Sequence, residues 1–117
     1  MDNNTIRKKR VLLVPLDPVH DVALKILNRK LKDRGHKTIL LPPDLPLEEI
    51  INRLAEIGNL DFILVSRTLG YGVAELLGKF VDMAEAVRIR DKAKMVLGGK
   101  AITPQLAAEL GFDKGFG

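Results

Sequence analysis

The 117 residues include no cysteine and no tryptophan, and tyrosine occurs once. Without cysteine there is no disulfide, no thiolate metal site and no thiol nucleophile. Such usage suits a reducing compartment, so a cytoplasmic protein is expected. One tyrosine and four phenylalanines do not make the row of aromatic platforms on which single strands stack, and no nucleic-acid partner is expected. No apolar run approaches the roughly 20 residues that cross a bilayer. The polar start, Met1 to Arg10, has no apolar stretch behind it of signal-peptide type, so no membrane partner is expected either.

What is present is the balance of a globular domain, with 46% hydrophobic and 29% charged residues and a formal net charge of +4. Part of the positive charge is gathered in Arg7, Lys8, Lys9 and Arg10. Residues 1–10 are read as a basic, solvated leader that keeps the end of a strand in water. Residues 11–117 are read as one domain, long enough to bury roughly two-thirds of its unfolded surface without staples.

Apolar runs alternate with helical stripes along this domain. Val11 to Val14, ended by Pro15, is a short unbroken run of the kind found in strands buried on both faces. Val19 to Arg34 carries a stripe at Val19, Val22, Ala23, Ile26, Leu27 and Leu31, with Gly35 as its stop. Lys37 to Leu41 is a second strand, halted by Pro42-Pro43. Leu47 to Ile57 is a second helix, with Pro46 and the acids Glu48 and Glu49 near its start. Asp61 to Ser66 is a third strand, Val73 to Ile89 a long helix, and Ala93 to Leu97 a fourth strand ended by Gly98-Gly99. Thr103-Pro104 opens a short helix to Leu110, and Phe112 to Phe116 reads as a fifth strand. The alternation predicts an α/β fold of flavodoxin-like, Rossmann-like type. Its five-stranded parallel sheet takes the order 2-1-3-4-5, with helices on both faces.

In such sheets ligands bind beyond the carboxyl ends of the strands, at the switch of strand order. The loops expected there hold the candidate residues. The first carries Asp17, His20 and Asp21. Imidazole is a common ligand of transition metals, and a nearby carboxylate can orient it; the same histidine would also serve as an ordinary exposed residue. The third loop begins with Ser66 and Thr68, whose hydroxyls sit among glycines that allow close backbone approach. The fourth offers Gly98, Gly99 and Thr103, where a ligand could lie against the sheet edge or a tight turn could need the glycines. The other histidine, His36, is expected at the surface, away from this edge. Phosphoacceptor chemistry is excluded, because Ser66 stands where an aspartate would be required. No glycine-rich phosphate fingerprint follows the first strand.

A histidine after strand one, a serine closing strand three and a glycine pair closing strand four together resemble the cobalamin-binding domain of cobalamin-dependent mutases and methyltransferases. The stretches Ile89-Arg90-Asp91-Lys92, Val96-Leu97-Gly98-Gly99, Ile102-Thr103-Pro104-Gln105 and Gly115-Phe116-Gly117 narrow the likeness. They are similar to the lysine 5,6-aminomutase and ornithine 4,5-aminomutase group. The resemblance implies cobalamin, as adenosylcobalamin or methylcobalamin, held with its nucleotide tail extended into the domain. It implies His20 as the cobalt ligand, the only metal ligand assigned. Asp17, Asp21, Ser66, Thr68, Gly98, Gly99 and Thr103 would complete the cofactor site, and no catalytic residue is assigned.

This sequence departs from the family motif Asp-x-His-x-x-Gly. Pro18 stands two before His20, with Asp17 displaced by one, and Ala23 replaces the glycine. The lysine by which these aminomutases bind pyridoxal phosphate falls at Leu31, with Lys30 turned about 100° around the helix. Pyridoxal phosphate is therefore not expected on this chain. Two readings of the function follow. One is a cobalamin-binding module or small subunit of an aminomutase-like isomerase, needing a separate catalytic chain with a barrel. The other is a relative that keeps the fold, binds no corrinoid and serves regulation or assembly. An unrelated small-ligand domain on the same fold is a third, more distant reading.

Overall fold

The computed structural model describes residues 8–16, 22–67, 72–89, 92–99 and 102–116. Nine elements run in strict alternation: β1 (Arg10–Pro15), α1 (Val22–Asp33), β2 (Lys37–Leu40), α2 (Leu47–Ile57), β3 (Phe62–Ser66), α3 (Val73–Ala86), β4 (Lys94–Gly98), α4 (Pro104–Glu109) and β5 (Lys114–Phe116). The strands form one sheet in the order β2-β1-β3-β4-β5, and every neighbouring pair is parallel. This is the expected topology, and its order reverses between β1 and β3. Asp61 and Asp113 extend the pairing at the strands' amino ends. Each exchanges two bonds with a neighbouring strand, its amide donating to a carbonyl and its carboxylate accepting from the amide of the same residue. The partners are Arg10 and Met95 respectively.

The two faces of the sheet are covered unequally. On one, Leu12, Val14, Ile63, Val65, Met95 and Leu97 pack against α2, α3 and α4 in a large core with Phe80 and Ala107. Phe112 stacks on Phe80 with ring centroids 6.5 Å apart. On the other, Val11 and Leu13 meet only Leu24 of α1 as a fully buried partner, with Leu31, Leu40, Phe62 and Leu64 packed around them. Strand burial follows this layering. All of β1 from Val11 onward is buried, whereas β3, and β4 after the exposed Lys94, alternate between buried and half-buried residues.

Three local expectations need correction. The apolar stripe read on α1 is only in part its core face, with Leu31 packed on the sheet. Leu24, outside that stripe, is the buried residue, while Val22 and Ile26 are 66% and 53% exposed. The helix α3 stops at Ala86 instead of Ile89. Arg88 adopts φ 62°, its amide donates to Glu85, and the Ile89 amide donates to Ala84. These paired bonds satisfy the last carbonyls and turn Ile89 back onto the core. The last strand begins at Lys114, because Phe112 belongs to the core and not to the sheet.

Candidate functional site

Because α1 lies against β1 and β2, the described residues leave β4, β5 and the carboxyl end of β3 uncovered on its side of the sheet. The result is a groove of about 570 Å³, within the range of small-molecule sites. One wall is Ala23, Leu24 and Leu27 of α1. The floor is Leu64, Val65 and Ser66 of β3 with Val96, Gly98 and Gly99 at β4, and Phe116 of β5 borders the far side. Ser66 is the one hydroxyl among these residues. Phe116 is 59% exposed, an unusual state for the largest apolar side chain of its strand.

Strand register explains why these residues meet. Leu64 pairs with Val96, Ser66 with Gly98, and Gly98 with Phe116, and side chains two apart share a face. Ser66 and Gly98 therefore end neighbouring strands side by side at the carboxyl edge of the sheet, next to the reversal of strand order between β1 and β3.

The two glycines have different reasons to be glycine. A Cβ at Gly98 would meet only the Phe116 carbonyl oxygen, at 3.8 Å, an ordinary contact. Its missing side chain keeps the groove open and is not demanded by the backbone. Gly99 has φ 148°, and a Cβ there would come within 2.2 Å of the Arg67 carbonyl oxygen. Close backbone approach alone requires it.

Of the residues predicted for the site, the structure brings Ser66, Gly98 and Gly99 together. Thr103 does not line the groove. It is the exposed N-cap of α4, its Oγ1 accepting from the Leu106 amide at 3.0 Å. Asp17, His20, Asp21 and Thr68 lie outside the described residues. His36, expected at the surface, is half-buried at the opposite end of the sheet, where its Nδ1 accepts from the Lys9 amide at 3.0 Å. Ala23, in the place of the motif glycine, contributes its methyl to the groove wall.

Sequence reasoning missed Leu24, Leu27, Leu64, Val96 and Phe116 as lining, and it gave no role to Arg67. The apolar residues are visible in sequence, but only the register shows which face they share. Among the described residues, no cluster of three or more His, Asp or Glu could hold a metal ion. No helix among them is long and apolar enough to cross a membrane. A second concavity, at the amino ends of the strands, is lined by Lys9, Lys92 and Lys94 with Asp61 and Asp113. Its two acids are the ones already engaged in strand pairing.

Comparison with known proteins gives the groove a context. The sequence model of the B12 binding domain matches residues 9–117. The chain is 37% identical over 86 residues to the lysine 5,6-aminomutase beta subunit of Fusobacterium nucleatum subsp. nucleatum, covering 72% of this chain and 32% of that one. It is 32% identical over 72 residues to the lysine 5,6-aminomutase beta subunit of Acetoanaerobium sticklandii, covering 60% and 27%. The aligned part is thus about a third of the length of these curated relatives. Among solved structures, a cobalamin-binding protein from Desulfitobacterium hafniense DCB-2 superposes with a TM-score of 0.77 at 20% identity, over 94% of this chain and 53% of that one. The Methanosarcina barkeri monomethylamine corrinoid protein does so with a TM-score of 0.78 at 16% identity, over 92% and 51%. These two share the fold. The matched residues 9–117 include every residue that lines the groove, and the chain belongs to the B12-binding domain family.

Proposed function

We propose that this chain binds cobalamin in the base-off form, with His20 as the lower axial ligand of cobalt and the nucleotide tail in the groove beside α1. The observation that carries the proposal is the groove itself. It is apolar along its length, kept open at the strand ends by Gly98, and placed at the carboxyl edge of β3 and β4 in a chain of this family.

The residues present fit the group. A flat aromatic base suits walls of Leu24, Leu27, Leu64 and Val96 with Phe116 alongside, because burying apolar surface is favourable at roughly 25 cal/mol per Å². The Ser66 and Thr68 hydroxyls are assigned to polar parts of the tail, and Gly98 and Gly99 to the line along which it enters. Asp17 and Asp21 flank His20 in sequence and are assigned to hold its second ring nitrogen, which fixes the tautomer and strengthens the ligand. Thr103 caps a helix and at most borders this end of the site.

When bound, the cofactor supplies a cobalt–carbon bond whose cleavage starts the chemistry, and the protein's task is to position it and tune it through the axial ligand. The chain would then serve as the cobalamin-binding component of an aminomutase-like isomerase. A separate catalytic partner would hold the substrate.

A competing reading, in which the fold persists without a corrinoid, draws on Ala23 in the groove wall and Pro18 in the altered motif. One experiment separates the two. The purified chain is titrated with hydroxocobalamin and followed by visible absorption, beside His20→Ala. The proposal expects a bound, coloured complex whose spectrum changes in His20→Ala, with a loss of affinity of about 10- to 100-fold. A chain that emerges colourless once free hydroxocobalamin is removed would support the competing reading.

A further inference from the structure

Arg67 is the first residue beyond β3, and it bonds to the ends of two other strands. Its Nη1 donates to the Leu16 carbonyl oxygen at 3.0 Å. Leu16 in turn donates its amide hydrogen to the Ser66 carbonyl at 2.9 Å, and the Arg67 amide donates to the Gly98 carbonyl at 3.1 Å. Gly99 lies directly over the Arg67 carbonyl, too close for any side chain. One residue therefore joins the carboxyl ends of β1, β3 and β4 at the rim of the groove.

Packing alone does not call for an arginine here. Holding a long cationic side chain half-buried costs rotamer freedom and desolvation, and an unbranched apolar chain would fill the same space. What the guanidinium adds is a charge-assisted donor at a place where the ladder gives out. Leu16 lies one residue past Pro15↔Ser66, the last register pair of β1 with β3. It is also the last described residue after β1, four positions in sequence before His20.

We propose that Arg67 is a positioning residue for cobalt ligation. By tying the Leu16 carbonyl to the rim that carries Ser66, Gly98 and Gly99, it sets where the segment bearing His20 starts relative to the groove. Ligation geometry tolerates errors of only about 0.5 Å, so a fixed root matters even when the ligand itself is several residues away. The inference rests on the cobalamin reading above and assigns Arg67 no contact with the corrinoid.

The test is a double-mutant cycle in the full chain, with hydroxocobalamin as the probe. Affinity and visible spectrum are recorded for the unaltered chain, Arg67→Met, His20→Ala and the double variant. Arg67→Met keeps the length of the stem and removes the donors. It is expected to weaken binding about tenfold and to move the spectrum toward that of His20→Ala. In the His20→Ala background the same change should alter affinity by less than about twofold. A tenfold loss in both backgrounds, or a spectrum that stays as in the unaltered chain, would overturn the positioning role. If His20→Ala binds and absorbs like the unaltered chain, ligation by His20 is what fails, and the two failures are told apart. Should Arg67→Met not fold, Arg67→Lys decides. Keeping one charged donor, it should recover most of the affinity and spectrum, and a folded Arg67→Lys that matches His20→Ala in spectrum and affinity would overturn the role.

Discussion

The two faces of this sheet solve the same burial problem in different ways. Toward α2, α3 and α4 every inward side chain of β1, β3 and β4 is buried and matched by helix side chains. Toward α1, Leu64 of β3, Val96 of β4 and Phe116 of β5 lie beside a groove that no described residue covers. A parallel sheet is normally apolar on both sides because both are covered. Its strands here are apolar on both sides, yet one side is only partly roofed among the described residues. The first face is where stability is made, and the second is where a ligand has room.

The comparison predicts that substitutions separate cleanly by face. The largest effect is expected from Phe80→Ala on the closed face. It removes a fully buried ring stacked on Phe112 and should cost about 3–5 kcal/mol of unfolding free energy in a denaturant titration. A loss below about 1 kcal/mol would mean that this core is loosely packed. Next is Gly99→Ala at the rim. The added Cβ collides with the Arg67 carbonyl, and strain of about 1–3 kcal/mol is expected, read as a lower melting temperature with or without cobalamin.

Gly98→Val sharpens the contrast from the groove side. The backbone accommodates a Cβ there, so stability should change by less than about 1 kcal/mol. Hydroxocobalamin affinity should nevertheless fall at least about tenfold, the equivalent of about 1.4 kcal/mol. Unchanged affinity would place the tail elsewhere. The smallest effect is a gain. Arg88 holds a left-handed conformation at the end of α3, and Arg88→Gly should stabilise the chain by about 1 kcal/mol without touching cobalamin binding. A loss of stability would show that the arginine side chain contributes more at that turn than its backbone strain costs.

Much of the fold is legible in the residues because local signals and burial agree. The span Leu47–Ile57 of α2 is readable from its apolar spacing, from Pro46 before it and from its first-turn acids Glu48 and Glu49. The strand order follows from apolar runs alternating with helices. Where one face is open, the same reasoning misleads. Val22 and Ile26 look like core positions on α1 because they are apolar at helical spacing, but of that stripe it is Leu31 that packs on the sheet, beside Leu24, which the stripe left out. Periodicity finds an apolar arc without saying which part of it meets the sheet. The end of α3 was missed for another reason: Arg88 adopts the conformation that a glycine would have advertised.

The site divides along the same line. Ser66 and Gly98 are legible because their places at strand ends are fixed by sequence. Phe116, Val96 and Arg67 depend on register across strands far apart in the chain, and no local pattern marks them. The separate reasons for Gly98 and Gly99 also become visible only when the Arg67 carbonyl is seen against Gly99.

The central claim is that the α1 side of the sheet, and not the side packed by α2, α3 and α4, receives the corrinoid. Methyl-resolved NMR during titration with hydroxocobalamin tests it most directly. The account predicts shifts concentrated on the methyl groups of Leu27, Leu64 and Val96, with those of Leu54, Leu77 and Leu97 nearly still. Shifts confined to the second set, or none at saturating ligand, would contradict it.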